Sequence, residues 1–210
     1  MYYDTSYSTM VGKERVLWED LVTGSCELMN LLYGMDEDSF LLSRYINVLF
    51  GLRCAKVDYE YLMRVWGDIY HSDGQYCVDK FRLQKAIKDY LGNIDSSLDY
   101  LQSFLGAVRI VNEKSPLRFE RGNLEFDRRI NDMRNQVMHE GVPCLSFDPG
   151  RRFMDICHSD VAGGVEMPPI IRVKFARDGE WQELGPMVEN TYCNTRTLIR
   201  SLTKELRAAF

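Results

Sequence analysis

Met133-Arg134-Asn135-Gln136-Val137-Met138-His139-Glu140-Gly141 is the stretch on which the reading of this chain turns. Carried back two turns, it sets Phe126, Ile130, Met133 and Val137 at steps of four, three and four, the spacing of an apolar stripe that buries one face of an α-helix. Arg128, Asp132, Asn135 and His139 recur at the same steps on the opposite side. Asn135 and His139 stand one turn apart, close enough to share a ligand, and Arg134 flanks them. Gly141 and Pro143 stop the helix just past His139, so the imidazole is placed near a helix end where a phosphate can approach.

Upstream of this helix the pattern stays helical. Residues 1–12 have no periodicity and read as a flexible arm. Leu17, Leu21, Leu28 and Leu31 or Leu32 predict a first helix from Lys13 to about Tyr33, stopped by Gly34. Asp38 or Ser39 then caps a long helix through Leu42, Tyr45, Ile46, Leu49 and Phe50, past a bend or break at Gly51, to Ile69. Ser72-Asp73-Gly74 predicts a turn. Phe81, Leu83, Ile87, Tyr90 and Leu91 predict a further helix that ends at Gly92-Asn93, and Asp95-Ser96-Ser97 caps another, with Leu98, Leu101, Leu105, Val108 and Val111 on its core face. Pro116 ends that run. Helices joined by short turns pack as an antiparallel bundle, here spanning 13–141.

Downstream the composition changes. Pro143, Gly150, Gly163, Gly164, Pro168 and Pro169 predict a loop. Ile171, Val173 and Phe175 alternate with Arg172 and Lys174, and Asp178-Gly179 is a favoured two-residue turn, so 170–184 reads as a β-hairpin. Val188, Tyr192, Thr195, Ile199, Leu202 and Leu206 predict a final helix, with Arg196, Arg200, Lys204 and Arg207 on its other face. The expected fold is therefore mainly α: an antiparallel helical bundle, with residues 142–210 adding a loop, a C-terminal β-hairpin and a final helix packed on it.

Composition narrows the function. The chain has 210 residues, 45% of them apolar, enough for a substantial core. A formal charge of -5 argues against a general nucleic-acid coat, so any RNA contact must be local. From Arg109 to Arg152 nine basic residues face seven acidic ones, while the remainder of the chain is net acidic. No apolar run reaches about 18 residues, and the first residues lack a signal-peptide pattern, so a cytoplasmic location is expected. Six single cysteines with no C-x-x-C pair suit reduced, packed thiols; Cys144, Cys157 and His158 lack the second arm of an ordinary zinc site, so no metal or cofactor is expected. No Gly-rich phosphate loop, G-x-S-x-G elbow, H-E-x-x-H or paired-aspartate motif is present.

Arg134-Asn135 followed after three residues by His139 resembles the R-x4-6-H motif of the HEPN superfamily, whose members are helical bundles and often metal-independent endoribonucleases, among them toxins and defence effectors. Arg64 before His71, and Arg151 and Arg152 before His158, also meet the spacing, and the amphipathic helix and the adjacent Asn135 single out His139. The resemblance implies a catalytic set of Arg134, Asn135 and His139. It implies a homodimer whose two motifs share one groove, and an antitoxin or regulatory protein as a further partner. Some HEPN toxins carry a tyrosine two residues after the histidine as a modification target; Gly141 stands there in this chain, so that regulation is not carried over. Arg118, Arg121, Arg128 and Arg129 surround the motif and are the candidate RNA contacts. The alternative is a non-catalytic HEPN-like module that binds a nucleotide, an RNA or a protein partner; a third reading is a structural bundle with the hairpin as its interaction surface.

Overall fold

Leu41, Tyr45, Val48, Leu49, Leu52, Ala55 and Leu62 repeat at helical steps, and each is buried. Burial of such side chains contributes about 1.5–3 kcal/mol apiece, which is what holds a 29-residue helix together around a central glycine. The computed structural model describes residues 17–35, 40–68, 80–112, 115–141, 143–148 and 170–210. Among them are six helices: α1 (17–21), α2 (Ser25–Met35), α3 (Phe40–Asp68), α4 (Lys80–Val111), α5 (Glu125–Glu140) and α6 (Leu184–Ala209). Three strands, β1 (Cys144–Asp148), β2 (Ile170–Lys174) and β3 (Gln182–Glu183), form one antiparallel sheet in the order β1-β2-β3.

α3 and α4 are the spine. Arg44 meets Ser103, Ser97 donates to the Val48 carbonyl at 3.1 Å, and Asn93 donates to Asp58 at 2.8 Å, so the partners descend along α4 as they ascend along α3. The pair is antiparallel. α6 also runs antiparallel to α3: Tyr45 Oη and Thr203 Oγ1 are 2.8 Å apart, and Tyr59 stacks on Tyr192 with centroids 4.9 Å apart. α5 lays Ile130, Met133 and Val137 into the same core, with Phe126 packed at its edge, as its stripe predicts. Ile171, Val173 and Phe175 of the sheet region bury against that core, while Arg172 between them is exposed.

Several helix limits differ from the sequence reading, each for a local or tertiary reason. The first helix is interrupted at Val22–Gly24, where Gly24 takes φ +87°. The interruption lets Leu21 and Val22 both bury, and the Glu19 carboxylate accepts the amides of Gly24 (2.5 Å) and Cys26 (3.2 Å), taking up donors at the start of α2. Gly34 does not stop α2, which runs on to Met35. Gly51 does not break α3, which runs unbroken from Phe40 to Asp68; a Cβ there would lie 3.0 Å from Ser97 Cα, so the glycine allows a close approach of α3 and α4. Gly92-Asn93 is no boundary either, since α4 is continuous for 32 residues. The cost of one helical glycine, about 1 kcal/mol, is small beside the burial of Tyr90, Leu91, Ile94 and Leu98 around it.

In the C-terminal region, Cys144–Asp148, read as loop, is a strand paired with β2 in the register Cys144↔Lys174 to Asp148↔Ile170. The hairpin between β2 and β3 is present, but its connection runs from Phe175 to Trp181 and turns on Arg177-Asp178, with Gly179 donating to the Ala176 carbonyl at 3.0 Å. Leu184 begins α6 and is not part of a strand. The arm at 1–12, the caps at Asp38 and Ser39, the turn at 72–74 with His71, and the 149–169 loop with Cys157 and His158 lie outside the described residues.

Candidate functional site

The site is built on α5, which the connection Ser115–Leu124 leads into. Asp127, in the first turn of α5, is fully buried, and its carboxylate accepts Arg121 Nε at 2.7 Å and the Gly122 amide. Gly122 takes φ +83°, a conformation that glycine adopts without penalty. Arg121 spreads its remaining donors over α4: Nη1 to the Asp95 carbonyl (3.1 Å) and Asp99 (2.6 Å), Nη2 to Asp95 Oδ1 (2.5 Å). Burial alone would lower the guanidinium pKa, but hydrogen bonding and charge from Asp95, with Asp127 and Asp99, hold it above its ordinary value. Arg121 is thus the bolt between the α5 entry and α4, and its charge is directed inward at three carboxylates.

Asp95 also holds the motif. Its Oδ2 lies 3.5 Å from Arg134 Nε, so the one nearly buried carboxylate carries Arg121 on one oxygen and Arg134 on the other. Arg134 Nη1 donates to Asn135 Oδ1 at 3.0 Å, and Asn135 Nδ2 donates to Asn131 Oδ1 at 3.2 Å. A polar chain therefore runs Asp95, Arg134, Asn135, Asn131 from the α4 interface out to solvent. His139 is exposed one turn beyond Asn135, and its ring has no hydrogen-bond partner among the described residues. The structure brings Arg134 and Asn135 together and leaves His139 open.

Of the other candidate contacts, Arg118, Arg128 and Arg129 are exposed. Arg128 Nη1 donates to the Gly122 carbonyl at 3.2 Å. Arg129 lies on the α6 side of α5 and lines a small cleft of about 80 Å³ with Asn190 and Asn194. On α6, Arg196 is spent on the Leu21 and Asp20 carbonyls and Arg207 pairs with Glu27, while Arg200 and Lys204 are exposed. Among the described residues no group of three or more His, Cys, Asp or Glu could hold a metal ion, and no helix is long and apolar enough to cross a membrane.

Sequence reasoning missed Asp95, Asp99, Asp127 and Asn131 as supports of the motif. Asp95-Ser96-Ser97 looked like a cap because those residue types are favoured at helix starts. The only signal was an acidic residue in the first turn of α5, which the helix dipole already explains.

Compared with protein-family models, curated proteins and solved structures, the chain matches none. The fold and site define a class: a mainly α-helical bundle with a small antiparallel sheet, carrying an Arg-Asn pair and an exposed histidine on one helix.

Proposed function

We propose that this chain is a HEPN-like, metal-independent endoribonuclease that cleaves single-stranded RNA, acting in the cytoplasm as a toxin or defence effector. The observation that carries the reading is Arg134, which spends Nε on Asp95 and Nη1 on Asn135 and keeps Nη2 without a partner among the described residues, on the helix that exposes His139 one turn from Asn135.

In the reaction the 2′-oxygen attacks the adjacent phosphorus and the bond from phosphorus to O5′ breaks, giving a 2′,3′-cyclic phosphate and a free 5′-hydroxyl. One group takes the 2′-hydroxyl proton and another delivers a proton to O5′. Histidine titrates near neutrality and suits either task. A guanidinium pre-aimed by Asp95 and Asn135 suits the charge that builds on the phosphate oxygens. Because one motif supplies a single imidazole, the reading includes a homodimer in which two motifs face one groove. Arg118, Arg128 and Arg129 are the proposed backbone contacts; Arg121 serves them by fixing the helix. An antitoxin or regulatory protein is a further proposed partner.

A second reading, a non-catalytic HEPN-like module that binds nucleotide, RNA or a protein partner, is favoured by one observation: no side chain among the described residues orients the His139 ring. The deciding experiment incubates the purified chain with single-stranded RNA in EDTA and analyses the ends formed. Cleavage leaving 2′,3′-cyclic phosphates in the wild type, and none in His139→Ala, is expected. No cleavage by the folded dimer, or equal cleavage by His139→Ala, transfers the argument to the binding module.

A further inference from the structure

Away from the α5 motif, the first two turns of α3 and the second half of α4 enclose an open groove of about 360 Å³, within the range of about 300–1,000 Å³ typical of small-ligand pockets. Its walls are Phe40, Ser43, Arg44 and Asn47 from α3, and Tyr100 and Ser103 from α4. Phe40 is 48% exposed and Tyr100 42%, so two aromatic rings on different helices open to one concavity. Arg44 lies over the Phe40 ring, 4.4 Å from its centroid, and is tied down by the carbonyl and hydroxyl of Ser103. Unlike Arg121, Arg134 and Arg207, Arg44 has no carboxylate partner among the described residues, and its Nε is buried without a hydrogen-bond partner.

These groups have a common ligand chemistry. An aromatic ring and an immobilised guanidinium plane are stacking surfaces, and every nucleobase offers a π-face to them. Asn47 adds an amide with both donors and acceptor, and Ser43 a hydroxyl, able to meet the donor and acceptor edge of a base. Arg44 is the one cation among the lining residues, with Nη1 taken by Ser103 and Nε buried, so the groove offers a ring surface rather than a general phosphate trap. We propose that the α3/α4 groove is a nucleobase-binding site, with the base stacked against Tyr100 and Arg44 and its edge read by Asn47. The proposal is independent of cleavage at His139: a base can occupy this groove whether or not the α5 motif turns over RNA. The base can come from a free nucleoside or from an unpaired position of RNA.

The test uses 2-aminopurine, whose fluorescence is quenched on stacking, as the free riboside and as a single substitution in a short 2′-O-methyl oligouridylate, which lacks the attacking hydroxyl and so stays intact, titrated with the full chain. Saturable quenching is expected with at least one of the two: with both if free nucleosides are the source, with the oligonucleotide alone if RNA is. Tyr100→Ala should weaken it by about 5- to 150-fold, the range of one base-stacking contact, Asn47→Ala by about 2- to 13-fold, the range of one hydrogen bond, Tyr100→Phe should restore it, and His139→Ala should leave it unchanged. Circular dichroism of each variant checks the fold, and both altered side chains are exposed, so no core cavity is made. Absence of quenching by the wild type with both probes overturns the proposal. So does quenching that Tyr100→Ala and Asn47→Ala leave intact, or quenching abolished by His139→Ala, which would place the base at the motif. Cleavage failing while quenching behaves as expected would remove the nuclease reading and leave the groove standing.

Discussion

Arg134 reaches Asp95 across the α4–α5 interface, Nε to Oδ2 at 3.5 Å, on a carboxylate whose other oxygen already holds Arg121. The central charge of the network is therefore Asp95, and its loss leaves two guanidinium groups short of a partner. Asp95→Ala is expected to destabilise the protein by about 1–3 kcal/mol, the cost of lost charge-assisted hydrogen bonds, because Arg121 keeps Asp127 and Asp99. Chemical denaturation checks this, and a loss below about 1 kcal/mol would show that the network is structurally idle.

Activity and stability should separate at the motif. His139 is exposed, so His139→Ala should change stability by no more than about 0.5 kcal/mol while lowering RNA cleavage about 100- to 10,000-fold. Arg134→Ala should lower cleavage about 100- to 1,000-fold. Its 40% exposed side chain limits the stability cost to about 1 kcal/mol at most. Thermal melts run beside a gel assay read both quantities.

Two helical glycines should respond in opposite directions. Gly92→Ala meets no atom within 4 Å and should stabilise α4 by about 0.5–1 kcal/mol. Gly51→Ala would press on the Ser97 backbone and should destabilise by about 1–3 kcal/mol despite the better helix former. If both variants gained stability, the close approach of α3 and α4 would be misplaced.

Glu19 should make stability depend on acid. Burial alone would raise its carboxyl, but the amides of Gly24 and Cys26, together with Arg207, outweigh it and hold the pKa below the ordinary value. A depressed folded pKa contributes stability that is fully present above the unfolded value and lost as pH falls through the folded one. Glu19→Ala should therefore cost about 1 kcal/mol at neutral pH, as loss of a helix cap does, and the gap to wild type should close as the carboxylate protonates. Denaturation at a series of pH values measures that gap; a constant difference would deny the carboxylate this role.

The dimer in the proposed mechanism is checked by light scattering at micromolar concentration in neutral buffer. A mass of twice 24.5 kDa is expected. A strictly monomeric chain that still cleaves RNA would exclude a shared groove.

Local pattern settles whatever a helix or strand must do alone to bury a face. Phe126, Ile130, Met133 and Val137 declared α5 because a helix on a core can hide only one stripe, and the same periodicity put Arg128, Asn135 and His139 on its open side. Ile171, Val173 and Phe175 declared a strand for the equivalent reason at period two. The remainder waits on partners distant in sequence. Cys144–Asp148 becomes a strand because β2, more than twenty residues later, supplies its hydrogen bonds. Gly92-Asn93 stays helical because Asn93 answers Asp58 on α3 and its apolar neighbours are buried, a gain that local propensity cannot register. Asp95 is a support for Arg134 rather than a cap for the same reason: a carboxylate takes its role from the cations that reach it, and Arg121 and Arg134 reach it only after α5 has folded back on α4.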